Sequence, residues 1–272
     1  MEATVMVDRL SRHDTRQLQS AKLLLENPGI AAKMANVLAS PIDKGLKLLP
    51  TGVQEQIQSI TRNSLEKAMQ VAIWTMRDGL RPSSNFMHKL SAVFTGAAGG
   101  AFGLPALAIE LPISTTIMLR SIADIARNEG ESLDSREAQL ACLAVFAMGG
   151  PSASDDAAES AYFAVRALLA KSIADAATHL ASKGAAKEAA PVLLRLMTQV
   201  AARFSIPVTE KVVAQAVPVI GAAGGALINM LFMEHFQDMA RGHFVVRRLE
   251  RAHGPELIRT TYESLPSKAT DH

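Results

Sequence analysis

The sequence predicts an all-α protein, a single multi-helix domain of about eight to ten helices with two glycine-rich apolar helical segments packed at its centre. Three observations carry this expectation. The 272 residues are 49% apolar but only 4% aromatic, so Ala, Leu, Val, Ile and 12 Met must fill the core. Such a composition favours closely packed helices over sheets. Apolar positions recur at three- and four-residue spacing along most of the chain, and no stretch alternates as a half-buried strand does. Two uncharged runs, residues 90–109 and 212–233, share the string GAAGGA.

Taken in order, residues 15–38 read as two helices separated by Asn27-Pro28-Gly29. Ser40 is the expected N-cap of the next helix, with Pro41 in its first turn. Pro50-Thr51 ends that helix and starts a longer one reaching about Arg77, with Trp74 as a core anchor. "RDGLRPSSN" is a loop. Gly103-Leu104-Pro105 is expected to bend the first uncharged run into a helical hairpin. Glu110-Leu111-Pro112 then begins a helix that Gly130 stops. Asp134 or Ser135 caps the next helix, which ends at Gly149-Gly150-Pro151. Ser154 caps another, with Asp155, Asp156 and Glu159 suited to the positive end of its dipole. "AAKEAAPVLLRLMTQVAARFSIPVTEK" supplies a further helix, expected to end near Ile206-Pro207. The second uncharged run, a basic amphipathic helix, a short last helix and a polar tail complete the chain. No segment between helices is long enough to be a linker.

The glycines set the central question. Gly96 and Gly100, Gly99 and Gly103, and Gly221 and Gly225 are four apart, so each pair shares a helix face; Gly224 belongs to the same run as the last pair. A face without Cβ lets a second backbone approach. Each interior glycine costs roughly 0.5–1 kcal/mol against alanine, so close contacts are expected in return. These seven are candidates for helix packing or membrane contact. Each run also has about the 20 residues that cross a ~30 Å hydrocarbon core. Three settings stay open: a soluble core, a membrane, or the wall of a lipid or ligand groove.

Net charge is +2, but it is unevenly spread. Residues 1–89 hold 12 basic and 8 acidic side chains, residues 90–160 hold 3 and 9, and residues 161–272 hold 13 and 9. Basic flanks around an acidic centre, with one Trp and two Tyr, do not suit a nucleic-acid surface. Cys142 lies alone in an apolar helical run and reads as an inert buried thiol in a reducing compartment. The first residues alternate charge with apolar side chains, unlike a secretory signal, so a cytoplasmic location or the inner membrane face is expected.

Few residues suggest chemistry. His235, His243 and His253 make no HExxH pattern, GAAGGA lacks the Lys-Ser/Thr of a phosphate loop, and there is no GxSxG elbow. No metal or cofactor is expected. A hydrolase would need Glu110, Asp155 or Asp156 to converge with a histidine. Glu110, between apolar runs, reads as a cap or interface charge, or as a buried carboxylate paired with Arg120 or a similar cation. Asn229, inside the second run, reads as a hydrogen-bond pin between helices. Arg241, Arg247, Arg248 and Arg251 follow on a helix with an apolar face. They are candidates for an anionic membrane surface, although Glu234, Asp238, Glu250 and Glu256 interrupt them.

"GLPALAIELPISTTIMLRSIADIARNEGESL", "LAVFAMGG", "VPVIGAAGGALINMLFMEHFQDMARGHFVVRRLE" and "HGPELIRTTYE" resemble, in that order, the EcsC protein family, and "ASPIDKGLKLLPTGVQEQI" fits its N-terminal portion. The resemblance divides the chain into an N-terminal helical extension at 1–36, an EcsC-like domain at 37–263 and a tail at 264–272. It implies a bacterial helical protein whose family is named for a gene beside an ABC transporter's ATPase and permease. It implies no catalytic residues and no assigned activity. The expected function is a non-enzymatic, membrane-associated accessory or regulatory protein. Its expected partner is a membrane surface or membrane protein, ABC transporter components among them. The alternative is a soluble helical protein that binds an apolar or lipid ligand.

Overall fold

The computed structural model describes residues 10–26, 33–36, 42–75, 103–148, 161–183, 186–216 and 221–266. Among them are nine α-helices with defined bounds, a further helical stretch at 33–36, and no strand. They are α1 (Arg12–Leu25), α2 (Ile42–Lys47), α3 (Thr51–Thr75), α4 (Leu104–Asn128), α5 (Arg136–Ala144, continued by a 3₁₀ turn at Val145–Ala147), α6 (Ala161–Lys183), α7 (Ala186–Gln215), α8 (Gly221–His253) and α9 (Pro255–Ser264). The all-α single domain read from the sequence is the fold. The turns expected at Asn27-Pro28-Gly29, Ser40-Pro41 and Gly149-Gly150-Pro151, the cap at Ser154, and Gly96, Gly99 and Gly100 lie outside the described residues, as does the Trp74 side chain.

Local chemistry sets the boundaries. Ser11 caps α1 by accepting from Asp14 N at 3.0 Å. Ser135 caps α5 by accepting from Ala138 N at 3.4 Å. Gly130 takes φ +80°, and Glu131 N donates to Ala126 O while Gly130 N donates to Arg127 O, each at 3.0 Å. This is the double closure that a left-handed glycine allows at a helix end. Lys22 Nζ donates to the carbonyls of Tyr262 and Leu265 at 2.9 and 2.7 Å, capping α9 from α1.

Two expected breaks and one expected continuity are corrected. Pro112 starts no helix; it sits inside α4, which begins at Leu104 with Gly103 as its N-cap. Pro207 ends no helix either, and α7 passes through both Pro191 and Pro207. Interior proline removes one backbone bond, yet Phe204 and Val208, fully buried around Pro207, hold the turn in the core. The second uncharged run is not one segment, since α7 stops at Gln215 and α8 starts at Gly221.

The core sits where α3, α4, α7 and α8 meet. Phe146 of the 3₁₀ turn packs against Phe204 of α7 and Phe236 of α8, with ring centroids 4.7 and 5.4 Å apart. A second, smaller cluster joins α1, α6, α8 and α9 through Leu18, Tyr162, Leu249 and Tyr262. Thus α1, placed by the sequence in an extension, packs along α8. Helix α4 is the one described helix long and apolar enough to cross a membrane, but half of its most apolar window is buried inside the protein.

Candidate functional site

The residues singled out from the sequence fall into three places. Gly103 has φ +141°, a conformation favouring glycine, and is the N-cap of α4; no second backbone lies within 4 Å of its would-be Cβ among the described residues. Gly221, Gly224 and Gly225 lie in the first turns of α8. An ideal Cβ on Gly225 meets nothing within 4 Å among the described residues. The close approach expected there is instead made at Gly242, where a Cβ would stand 2.6 Å from Leu25 Cγ and 3.0 Å from the Ala21 carbonyl oxygen. Gly45 of α2 is similarly pressed against Val213 of α7. The signal for Gly242 was a lone glycine inside a long helix, where it costs about 1 kcal/mol unless it is needed.

Glu110 is buried, and its partner is Lys211 of α7 rather than Arg120. Lys211 Nζ donates to Glu110 Oε1 at 2.5 Å and stands 4.9 Å from the Phe232 ring centroid. Lys211 has no exposure to solvent. Burial pushes its pKa down, against the pull of the Glu110 carboxylate. Arg120 is half-buried on α4. Asn229 Oδ1 accepts from Gln215 Nε2 at 3.3 Å and so links α8 to α7.

The basic residues after the second glycine run pair with carboxylates of their own chain. Arg247 Nε and Nη2 donate to the two Glu131 oxygens at 2.8 and 3.2 Å. Arg251 also binds Glu131, and its Nη2 reaches the Glu129 carbonyl at 2.7 Å. Arg248 Nε donates to Glu129 at 2.7 Å and Nη2 to Gln17 at 3.1 Å. Arg247, Arg248 and Arg251, expected as a basic surface, thus pair with the acidic turn after α4 of their own chain. Burial raises the Glu131 pKa, but the hydrogen bond and charge of Arg247, with Arg251, outweigh it and hold the carboxyl below its ordinary value. Arg241 stays half-exposed, paired with Asp238 at 2.8 Å.

Just above this ion-pair cluster lies a cavity of about 440 Å³ between α5, α6 and α8. Periodicity builds it. On α6, residues 166, 169, 170, 173, 174, 177 and 178 recur at three- and four-residue steps and present one stripe to it. Small side chains on that stripe and on α5, Ala141 and Ala144 among them, leave the space. Leu169, Ile173 and Met148 complete apolar walls. Ala170, Ala174 and Thr178 are exposed and mark its open side. At one end stand Arg166, His243 and Arg247.

The polar end is tightly wired. Arg166 Nη1 and Nη2 donate to the two Glu250 oxygens at 2.7 and 2.8 Å, and Nη1 also reaches Tyr162 Oη at 3.3 Å. Tyr162 Oη lies 2.9 Å from His243 Nδ1. Burial drives the Tyr162 pKa up and keeps its phenol protonated. Burial first, then the charges of Arg166 and Arg247, hold the His243 pKa well below its ordinary value, so its ring is neutral at pH 7. His243 Nε2 is buried without a hydrogen-bond partner. Nearby Cys142 is fully buried, its pKa pushed up to about 12 by burial and then by Glu131.

Sequence reasoning named Arg247 here but missed Tyr162, Arg166 and the role of His243. The small-residue stripe of α6 was the available signal. No three His, Cys, Asp or Glu side chains come together to hold a metal among the described residues. Glu110 pairs with a lysine, while Asp155 and Asp156 lie outside the described residues.

No curated protein and no solved structure matches the chain. The EcsC protein family matches residues 14–249, from inside α1 to near the end of α8. With that match over most of its length, the chain belongs to the EcsC protein family.

Proposed function

We propose that this EcsC family member is a non-enzymatic binding protein for a small, largely aliphatic molecule held between α5, α6 and α8. The carrying observation is the cavity of about 440 Å³, apolar along its length and polar at one end. Small-molecule sites have this character and span roughly 300–1,000 Å³. The surrounding groups are set to hold rather than to react. Both guanidiniums are tied to carboxylates, the Tyr162 phenol stays protonated, and the Cys142 thiol is buried and protonated. The test is binding of the uncharged fluorophore N-phenyl-1-naphthylamine. The wild-type protein should bind it, and Ala174→Trp, which fills the open side, should abolish binding with helix content unchanged by circular dichroism. No binding by wild-type protein, or equal binding by the variant, overturns the reading.

The membrane-associated accessory role implied by the family, with an ABC transporter as partner at the inner face of the cell membrane, is a second reading. It is favoured by the apolarity of α4 and by Ile109 and Met230, large apolar side chains 67% and 58% exposed. Flotation with uncharged phosphatidylcholine vesicles tests it. Since Arg247, Arg248 and Arg251 are spent internally, membrane binding should depend on apolar contact, and added anionic lipid should strengthen it little. Failure to float at low salt counts against this role.

A further inference from the structure

Resting on the cavity reading above, we infer that the molecule bound there carries an uncharged hydrogen-bond acceptor, an ester or amide carbonyl on an aliphatic chain, and that His243 Nε2–H is the donor that holds it. The first step is the tautomer. Arg166 can only donate, so Tyr162 Oη accepts from it. The phenol's one hydrogen then goes to His243 Nδ1 at 2.9 Å, because among the described residues no acceptor other than that nitrogen stands at Tyr162 Oη. His243 Nδ1 is therefore the accepting nitrogen, and Nε2 carries the ring hydrogen. That N–H is buried and unpartnered in a residue that lines the cavity and is only 3% exposed. A buried donor left unpaired is costly, and a bound acceptor removes that cost.

The second step is charge. Around the polar end, Arg166, Arg247 and Arg251 face Glu250, Glu131 and Glu137, three cations against three carboxylates. Arg166 and Arg247 each grip both oxygens of a carboxylate. A ligand carboxylate or phosphate would find no unspent positive charge among the described lining residues, and its burial would cost far more than that of a carbonyl. A carbonyl needs one neutral donor, and His243 supplies it. The rest of the ligand lies against Leu169, Ile173 and the alanines of α5 and α6.

The experiment compares methyl decanoate, decanoate and decane as competitors of N-phenyl-1-naphthylamine. The wild-type protein should bind the ester roughly tenfold more tightly than decane, the scale of one satisfied buried donor, and decanoate more weakly than the ester. His243→Phe should lose the preference for the ester over decane. Nitrogen-15 NMR of the wild-type imidazole keeps the test independent of how the variant folds: His243 should be the Nε2–H tautomer, and its Nε2 proton should shift when the ester binds. Binding of all three without ester preference, tightest binding of decanoate, or an Nδ1–H tautomer overturns the inference while leaving the cavity reading intact. Failure of every competitor and of the fluorophore sinks the cavity reading itself.

Discussion

Alanine at two glycines of α8 should have opposite effects on stability. At Gly242 an added Cβ would stand 2.6 Å from Leu25 Cγ and 3.0 Å from the Ala21 carbonyl oxygen. Ordinary contact needs about 3.5–4.0 Å, so α1 would have to retreat by roughly 1 Å. Overpacking of this kind costs about 1–3 kcal/mol. The better helix propensity of alanine returns about 1 kcal/mol. Gly242→Ala should therefore destabilise by up to about 2 kcal/mol, lost from the seating of α1 on α8. At Gly225 a Cβ meets nothing within 4 Å among the described residues, so Gly225→Ala should stabilise by about 0.5–1 kcal/mol. Urea unfolding followed by circular dichroism reads both. The midpoints should move in opposite directions with unchanged slope. If Gly225→Ala destabilises as much as Gly242→Ala, a backbone lies against Gly225 and the glycine run is a packing stripe after all. If Gly242→Ala stabilises, α1 is not seated as described.

Further outcomes follow from the buried charges. Glu110→Gln leaves Lys211 buried beside a neutral partner and should cost about 3 kcal/mol, whereas Glu110→Leu with Lys211→Met should restore most of that stability; a double variant no better than the single would show that the pair itself is needed. The Glu131 carboxyl is depressed in the folded state, so its contribution is full above the ordinary carboxylate pKa and fades as pH falls through the folded value; Glu131→Gln should flatten the acid limb of the stability curve. His243 is also depressed, facing Tyr162, Arg166 and Arg247, so below about pH 6.5 the unfolded chain binds a proton that the folded one refuses, and stability should fall by roughly 1.4 kcal/mol per pH unit, less in His243→Phe. Iodoacetamide at pH 8 should leave Cys142 unmodified until the protein is unfolded; rapid labelling of the native protein would contradict its burial and raised pKa.

What the sequence alone determined is local. Apolar spacing marked the helices, and Ser135 and Gly130 marked two ends, because a cap bonds within a few residues and a left-handed turn selects glycine on the spot. The isolation of Cys142 and the linking role of Asn229 were equally legible, since both follow from a polar or sulfur atom in an apolar run. Proline misled at 112 and 207, where a one-bond loss was outweighed by burial that no local pattern reports. Everything that makes a site was decided in three dimensions. Glu110 meets Lys211 across 101 residues, Tyr162 meets His243 across 81, and Arg247 meets Glu131 across 116. The uneven charge along the chain was visible, but only folding showed that its basic end answers its acidic centre. Which glycine is pressed by a neighbour, and where small side chains leave a hollow, depends on how helices cross, and crossing is set by the whole packed surface.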